Sequence, residues 1–154
     1  MIVMKSISKS YGVPGLRLGI LASADRVLVD AVRRDVSIWN INSFAEYYMQ
    51  IYGKYEDDYH RACQLFQEER ARFESELRTI PFLRVIPTEA NYFLCEVTDR
   101  FTSSELAILL IKRVNILIKD CSYKKDFEGK NYVRIAVRDT KDNNRLLQAL
   151  RELC

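Results

Sequence analysis

Alternation of apolar and polar residues marks the strands of the second half of the chain. The runs 83–86 and 92–97 have this character, and the proline-containing segment between them predicts a turn. The run 132–137 alternates most regularly, with valine or isoleucine at every second position and Arg134 in the middle of the other face. A further apolar run at 116–118 predicts another strand. Together these segments predict a small sheet.

Apolar residues at every third or fourth position predict helices between these strands. The longest helical pattern covers residues 55–80, which at 1.5 Å per residue corresponds to about 39 Å. Shorter patterns predict a helix at 25–35 and another that begins at a Ser43 cap and runs to about residue 52. Helices of these lengths are sufficient to cover one face of a sheet.

Capping signals place two more helices toward the end of the chain. Thr102 followed three residues later by Glu105 is the pattern of a capping box and opens a helix to about Val114. Thr140 is expected to cap a last helix, whose apolar side carries Leu146, Leu147, Leu150 and Leu153. Strands mixed with helices predict an open two-layer α+β unit from about residue 43 onward.

The beginning of the chain has a different character. Short apolar runs at 2–4 and 18–21 predict two strands, and three of the chain's five glycines lie within residues 12–19. Two strands need a larger sheet to join, and little sequence precedes them. We therefore expect residues 1–40 to be the carboxyl-terminal remnant of a large domain, and residues 41–154 to be a small domain with its linking helices.

Composition and charge narrow the classes of function. Twenty-four basic and twenty-one acidic side chains leave a net charge of +3, too small to argue for a nucleic-acid or membrane partner. The longest apolar stretch, 106–118, is interrupted by polar residues and is too short to span a bilayer. The amino terminus lacks the features of a signal peptide. We therefore expect a cytoplasmic protein without a nucleic-acid or membrane partner.

The cysteines and the single histidine give no indication of a metal site. The four cysteines are 26 to 33 residues apart, and no pair has the spacing of zinc ligands or of a redox motif. His60 falls within the predicted long helix, with no nucleophile motif around it. We expect reduced thiols and no bound metal.

The candidate chemistry lies in the glycine-rich segment near the amino terminus. Lys9 stands between two serines directly after a predicted strand, and Arg17 follows after a flexible turn. A lysine amine is a nucleophile for carbonyl carbons, whereas hydroxyls and a guanidinium are donors for a phosphate. A molecule with an aldehyde and a phosphate, such as pyridoxal phosphate, could react with the lysine and bind to the phosphate donors. The alternative is an ordinary surface lysine beside a glycine turn.

The motif Ser-x-Ser-Lys-x-(aromatic)-Gly-x-x-Gly-x-Arg-x-Gly resembles the cofactor-lysine motif of class I/II pyridoxal-phosphate aminotransferases. It is most similar to the branch of histidinol-phosphate aminotransferase and threonine-phosphate decarboxylase. The resemblance implies an α/β fold of the PLP-dependent transferase type. It also implies that Lys9 forms a Schiff base with pyridoxal 5′-phosphate and then moves a proton at the substrate's α-carbon. Ser6, Ser8 and Arg17 would hold the cofactor phosphate.

The resemblance continues downstream and assigns three substrate-binding residues. Asn91 lies in a segment similar to the family's turn and strand before the small-domain sheet. Lys119 stands where these branches usually have an arginine that reaches the substrate's own phosphate; it keeps the charge but loses the bidentate fork. Arg134 matches the arginine that grips the substrate's α-carboxylate. The alternation alone is equally compatible with Arg134 as an ordinary arginine on a solvent-exposed face, without a role in binding.

One departure from the family concerns the cofactor ring. In the family, the residues that contact the ring come from sequence before the lysine motif, and here only eight residues precede Lys9. We therefore expect this chain to be a carboxyl-terminal fragment that is a weak catalyst or none by itself. The full-length enzyme is expected to be a homodimer, because active sites of the family lie between subunits.

Three functions are compatible with these residues. The first is an aminotransferase in amino-acid biosynthesis, which moves an amino group between an amino acid, with or without a phosphate, and a 2-oxo acid. The second is a decarboxylase of an O-phospho-amino acid on the same scaffold. The third is a non-catalytic remnant that keeps the small-domain fold as an interaction module.

Overall fold

The computed structural model describes residues 1–127 and 129–154. The chain forms two compact units, Met1–Cys63 and Gln64–Cys154. The boundary between them in the sequence falls inside the longest helix. The division at residues 40 and 41 refers to the domains of a longer enzyme and stays a prediction.

The first unit contains a two-stranded antiparallel sheet. Strand β1 (Ile2–Ser6) pairs with β2 (Gly19–Ser23), with Ile2 opposite Ser23 and Ser6 opposite Gly19. The connection holds the short helix α1 (Ile7–Ser10) and a 3₁₀ turn at Pro14–Leu16. Both predicted strands are confirmed, and the lysine motif forms the loop that joins them.

Three helices complete the first unit: α2 (Arg26–Asp35), α3 (Ser43–Ile51) and the beginning of α4 (Glu56–Leu77). The predicted Ser43 cap is wrong, because the preceding residue takes that position. The side chain of Asn42 accepts a hydrogen bond of 2.9 Å from the amide of Ala45, and Ser43 is the first helical residue. Asparagine and serine both favour the position that caps the amino terminus of a helix, so the sequence pattern alone did not decide between Asn42 and Ser43.

The second unit is a four-stranded antiparallel sheet with helices packed on one face. Its strands are β3 (Leu83–Ile86), β4 (Tyr92–Val97), β5 (Lys119–Asp120) and β6 (Tyr132–Ala136), in the order β3-β4-β6-β5. The helices are the rest of α4, α5 (Ser103–Val114) and α6 (Thr140–Arg151). This arrangement confirms the two-layer α+β architecture.

The core lies between the sheet and these helices. Alternate strand residues point into it, as the alternation in β6 predicted, and the opposite face of the sheet remains exposed around Arg134. The helices contribute leucine and phenylalanine side chains from their apolar sides. The largest completely buried side chains include Phe73, Leu77, Phe93, Leu106, Leu110, Ile135, Leu147 and Leu150.

Two further expectations are corrected in this unit. Residues 116–118 form no strand, because Asn115 adopts a left-handed conformation (φ 55°) that ends α5, and the amide of Ile116 donates to the carbonyl of Leu110 at 3.2 Å. Pairing begins only at Lys119. Asp139, not Thr140, caps α6 by accepting from the amide of Asp142 at 2.8 Å.

The capping box that opens α5 is confirmed. The side chain of Thr102 accepts from the amide of Glu105, and the carboxylate of Glu105 accepts from the amide of Thr102 at 2.8 Å. Within the described residues, no helix combines the length and apolar character needed to cross a bilayer.

Candidate functional site

Lys9 lies in the single-turn helix α1, directly after β1. Backbone hydrogen bonds define the loop: the amide of Ser8 donates to Leu18 at 3.1 Å, and the amide of Val13 donates to Ser8 at 2.9 Å. Gly12 follows the helix with φ of +68°, a conformation that side chains disfavour. The loop therefore holds Lys9 in a fixed place, with its side chain exposed to solvent.

Ser8 is a structural part of this loop. It is 3% exposed, and its hydroxyl accepts from the amide of Leu18 at 2.6 Å and donates to the carbonyl of Leu18 at 3.2 Å. This side chain ties α1 to the segment before β2. The role of Ser8 toward a cofactor phosphate stays a prediction, and it requires the hydroxyl hydrogen to turn away from Leu18.

The four residues predicted to bind the cofactor line one cleft beside the two-stranded sheet. Ser6, Ser8, Lys9 and Arg17 all contribute to its wall. Arg17 has a left-handed backbone (φ 52°) and an exposed side chain. Neither Lys9 nor Arg17 forms an ion pair with any residue that the structure describes. The cleft thus presents three cationic side chains, those of Lys5, Lys9 and Arg17, and the hydroxyl of Ser6, with no carboxylate among the residues that line it.

Tyrosines that the sequence did not connect with the site hold the lysine loop. The ring of Tyr11 lies 4.8 Å from that of Tyr52 and 4.7 Å from that of Tyr59, between ring centroids. The Tyr59 hydroxyl donates to the carbonyl of Ser10 at 3.0 Å. Helical spacing of the later tyrosines indicated packing, but only the fold shows that they pack on the motif's own aromatic residue.

The two buttressing tyrosines remain protonated over a wide pH range. Burial and the neighbouring Tyr11 raise the pKa of Tyr52 to about 12. The neighbouring Cys63 thiol, together with burial, raises the pKa of Tyr59 to about 12. Because a protonated phenol can donate, the bond from Tyr59 to the carbonyl of Ser10 persists at physiological pH.

The second unit brings Arg134 and Lys119 together on the exposed face of its sheet. They are directly paired across β5 and β6, and Leu94 is opposite Arg134 on the other side. The guanidinium lies 5.0 Å from the ring centroid of Tyr92, and the amine of Lys119 lies 4.9 Å from that of Tyr123. Each cation therefore lies against the face of an aromatic ring, where a cation–π interaction attracts it.

A cleft beside Arg134 extends this positive surface. It is lined by Arg134, Lys124, Tyr92 and Thr88, among others, and Asn91 is not part of its wall. Asn91 is exposed just before β4, where its carbonyl accepts from the amide of Val137 at 3.0 Å. Lys124 lies in the loop after β5, and no spacing in the sequence indicated that it lies near Arg134.

Comparisons with known proteins show the family of this chain. The model of the family Aminotransferase class I and II matches residues 1–150. The threonine-phosphate decarboxylase of Salmonella typhimurium is 34% identical over 153 residues, 98% of this chain and 40% of that protein. The CMP-5′-(3-aminopropyl)phosphonate synthase of Streptomyces rubellomurinus is 34% identical over 152 residues, 99% of this chain and 24% of that protein.

A solved structure supports the same assignment. The histidinol-phosphate aminotransferase from Clostridium acetobutylicum superposes with a TM-score of 0.85 at 28% identity, covering 99% of this chain and 45% of that one. The chain spans 40% or less of the length of the two curated relatives above. With its lysine motif, its four-stranded sheet and a family match along almost its whole length, this chain belongs to the class I and II aminotransferases, a family that depends on pyridoxal 5′-phosphate.

Proposed function

We propose that this chain is the carboxyl-terminal part of an aminotransferase that moves an amino group between an amino acid and a 2-oxo acid, with Lys9 as its catalytic lysine. The observation that carries the proposal is the convergence of Ser6, Lys9 and Arg17 on one cleft that holds uncompensated positive charge. If Lys9 were an ordinary surface lysine beside a turn, a second cation and a hydroxyl would not be expected among the residues that line the same cleft.

The residues present fit pyridoxal phosphate. The guanidinium of Arg17 offers a bidentate donor for the phosphate, and the exposed hydroxyl of Ser6 offers a further one. When bound, the cofactor supplies an aldehyde that condenses with amines and a ring that withdraws electrons from the substrate's α-carbon. The amine of Lys9 would attach to it and would carry the proton to and from that α-carbon.

The proposed substrate carries two anionic groups. Arg134 would grip the α-carboxylate through its planar fork, and Lys119 would contact a second anion, such as a phosphate. Neighbouring strands are about 4.8 Å apart, so two residues paired across them can contact groups of one small molecule. The exposed side-chain amide of Asn91 is proposed as an additional polar contact with the substrate. By analogy with the family, the full-length protein is proposed to be a homodimer.

Decarboxylation of a phosphorylated amino acid is the second candidate. It is favoured by Lys119 beside Arg134, which suits a substrate with both a phosphate and a carboxylate, and by the similarity to threonine-phosphate decarboxylase. The two reactions differ in which bond at the α-carbon is broken, and that depends on the orientation of the substrate.

Reduction trapping tests the assignment of Lys9. The 154-residue chain is incubated with pyridoxal phosphate, reduced with borohydride and digested, and the labelled lysine is identified by mass spectrometry. We expect the label on Lys9, none at this position in Lys9→Ala, and an unchanged label on Lys9 in Lys5→Ala, since Lys5 lines the same cleft. Equal labelling of all exposed lysines, or none, would favour the non-catalytic interaction module.

Product analysis separates the two reactions. The full-length enzyme is given O-phospho-L-threonine with a 2-oxo acid, and carbon dioxide and the new amino acid are measured. Aminotransferase activity predicts the new amino acid without carbon dioxide. Release of carbon dioxide without amino transfer would establish the second candidate instead.

A further inference from the structure

Strand β5 is unusually short and yet carries a proposed substrate-binding residue. It consists of Lys119 and Asp120 alone, and the ladder to β6 comprises the pairs Lys119 with Arg134 and Asp120 with Val133. The preceding residues 116–118 make no ladder with β6. Two cations in facing positions also repel each other. The amide of Cys121 continues the pairing by donating to the carbonyl of Tyr132 at 2.9 Å, but the paired segment is short and a further attachment would help to hold Lys119 in place.

Asp120 provides this attachment on the opposite side of the strand. Its Oδ2 accepts from the hydroxyl of Ser104 at 2.5 Å and from that of Ser122 at 2.9 Å, and its Oδ1 accepts from the amide of Ser122 at 2.9 Å. Ser104 lies in the first turn of α5, so this carboxylate joins β5 to that helix. Charge-assisted hydrogen bonds of this kind are among the stronger ones in proteins.

The carboxylate remains charged although it is partly buried. Burial raises the pKa of Asp120, but the hydrogen bonds from Ser104 and Ser122 lower it more, and the pKa falls to about 2. Because strand residues alternate between faces, the negative charge points away from Lys119, its neighbour in the sequence. Lys119 is thus left free to attract an external anion.

We propose that Asp120 is a positioning residue that acts through Ser104 to hold Lys119 opposite Arg134. It tunes the affinity of this pair for the anionic group of the substrate. The effect on affinity rests on the proposed function, whereas the anchoring of β5 does not. The proposal therefore has two separate consequences, one in the free protein and one in ligand binding.

Amide hydrogen exchange in the 154-residue chain tests the anchoring. Ser104→Ala removes one donor to Asp120, and we expect exchange of the amides of Lys119 and Arg134 to accelerate about tenfold, the value of one hydrogen bond to a charged group. Ser104→Thr keeps the hydroxyl and should restore slow exchange. Ser75→Ala is the control, since Ser75 bonds only to the carbonyl of Arg72 in α4. Unchanged exchange in Ser104→Ala would overturn the proposal.

A double-mutant cycle tests the consequence for binding. Titration calorimetry with O-phospho-L-threonine compares wild type, Ser104→Ala, Lys119→Met and the double variant. We expect Ser104→Ala to weaken binding about threefold in the wild-type background and to have no effect once Lys119 is gone. Equal weakening in both backgrounds would assign Ser104 and Asp120 a merely structural role. If wild type binds no O-phospho-L-threonine, the substrate assignment fails, while the exchange measurement still decides the anchoring.

Discussion

Arg134 combines an exposed charge with a fixed orientation. Its side chain lies on the solvent side of β6, against the ring of Tyr92, and finds no carboxylate partner in the described part of the chain. The sequence predicted its face, because alternation in a strand is a local property. The sequence did not predict its pairing with Lys119, because register between strands depends on turns and packing.

Replacement of Arg134 by lysine is predicted to weaken binding of O-phospho-L-threonine about tenfold, because lysine offers a point charge instead of a planar fork. Titration calorimetry measures the effect. Arg84→Lys is the matched control, since Arg84 lies on the same exposed face in β3 but is already paired with Glu96. Equal losses in the two variants would show that general charge, and not the geometry at Arg134, governs binding.

Helices and strands as elements were largely predictable, whereas their ends were less so. The capping box at Thr102 was readable because two residues at fixed spacing define it. The caps at Asn42 and Asp139 were assigned one residue late, because Ser43 and Thr140 are equally suitable residue types. The strand expected at 116–118 failed because the left-handed turn at Asn115 keeps these residues from pairing.

The junction between β6 and α6 is fixed by a network around Glu69 of α4. The Glu69 carboxylate accepts from Arg72 at 2.7 Å, from the buried Asn143 at 2.7 Å and from Thr140 at 2.9 Å. Asn143 also bonds to both backbone groups of Arg138. These contacts join two segments that are distant in sequence, residues 69–72 and 138–143, so no local pattern could have predicted the bonds between them.

Glu69→Gln is predicted to destabilise the chain by about 2 kcal/mol, because it removes a nearly buried charge that accepts several hydrogen bonds. The hydrogen bond from Arg72 is the largest cause that lowers the pKa of Glu69, to about 2. A lowered pKa in the folded state means that this stability is present above about pH 4.5 and is lost as the pH falls toward 2. Urea unfolding at pH 7 and pH 3 measures both effects.

The control for this variant is Glu68→Gln. Glu68 is the exposed neighbour on the same helix and accepts only from Gln64, at 3.0 Å. It should change stability little at either pH. A Glu69→Gln variant as stable as wild type at pH 7 would contradict the role of the network.

At the scale of the molecule, the two units differ in how many buried hydrophobic side chains they contain. Among the residues that the structure describes, the second unit holds a continuous core of eighteen buried hydrophobic residues, whereas the first contributes Leu18 and Ala45 to the buried hydrophobic set. The two-layer fold of the second unit was predictable because its strands and helices all carry apolar faces. The first unit was recognisable from its motif and not from any core.

Limited proteolysis should reveal this inequality. We expect trypsin to cut first in α2, at Arg26, Arg33 and Arg34. No residue of α2 is buried, so the free energy of local unfolding of this helix is low. A fragment that contains Gln64–Cys154 should persist, as monitored by mass spectrometry over time. Early cleavage within β4 or β6 would contradict the expected order.

Self-association is predicted through the two-stranded sheet. Large apolar side chains are exposed on it, with Ile2 and Ile20 each at 55% and Met4 at 80%. Exposed apolar surface of this kind favours association. Gel filtration over a hundredfold range of concentration should show growing oligomers in wild type and less of them in Ile20→Lys. A clean monomer throughout would contradict the prediction.

The shortness of β5 has a consequence for the edge of the larger sheet. An edge strand with many free backbone groups can act as a template on which an extended chain adds and fibrils grow. Here the edge strand consists of Lys119 and Asp120, and the first of these is a lysine, a residue that disfavours such addition. The same two residues that we assign to substrate binding and its support thus also protect this edge of the sheet, the one opposite β3, from templated growth.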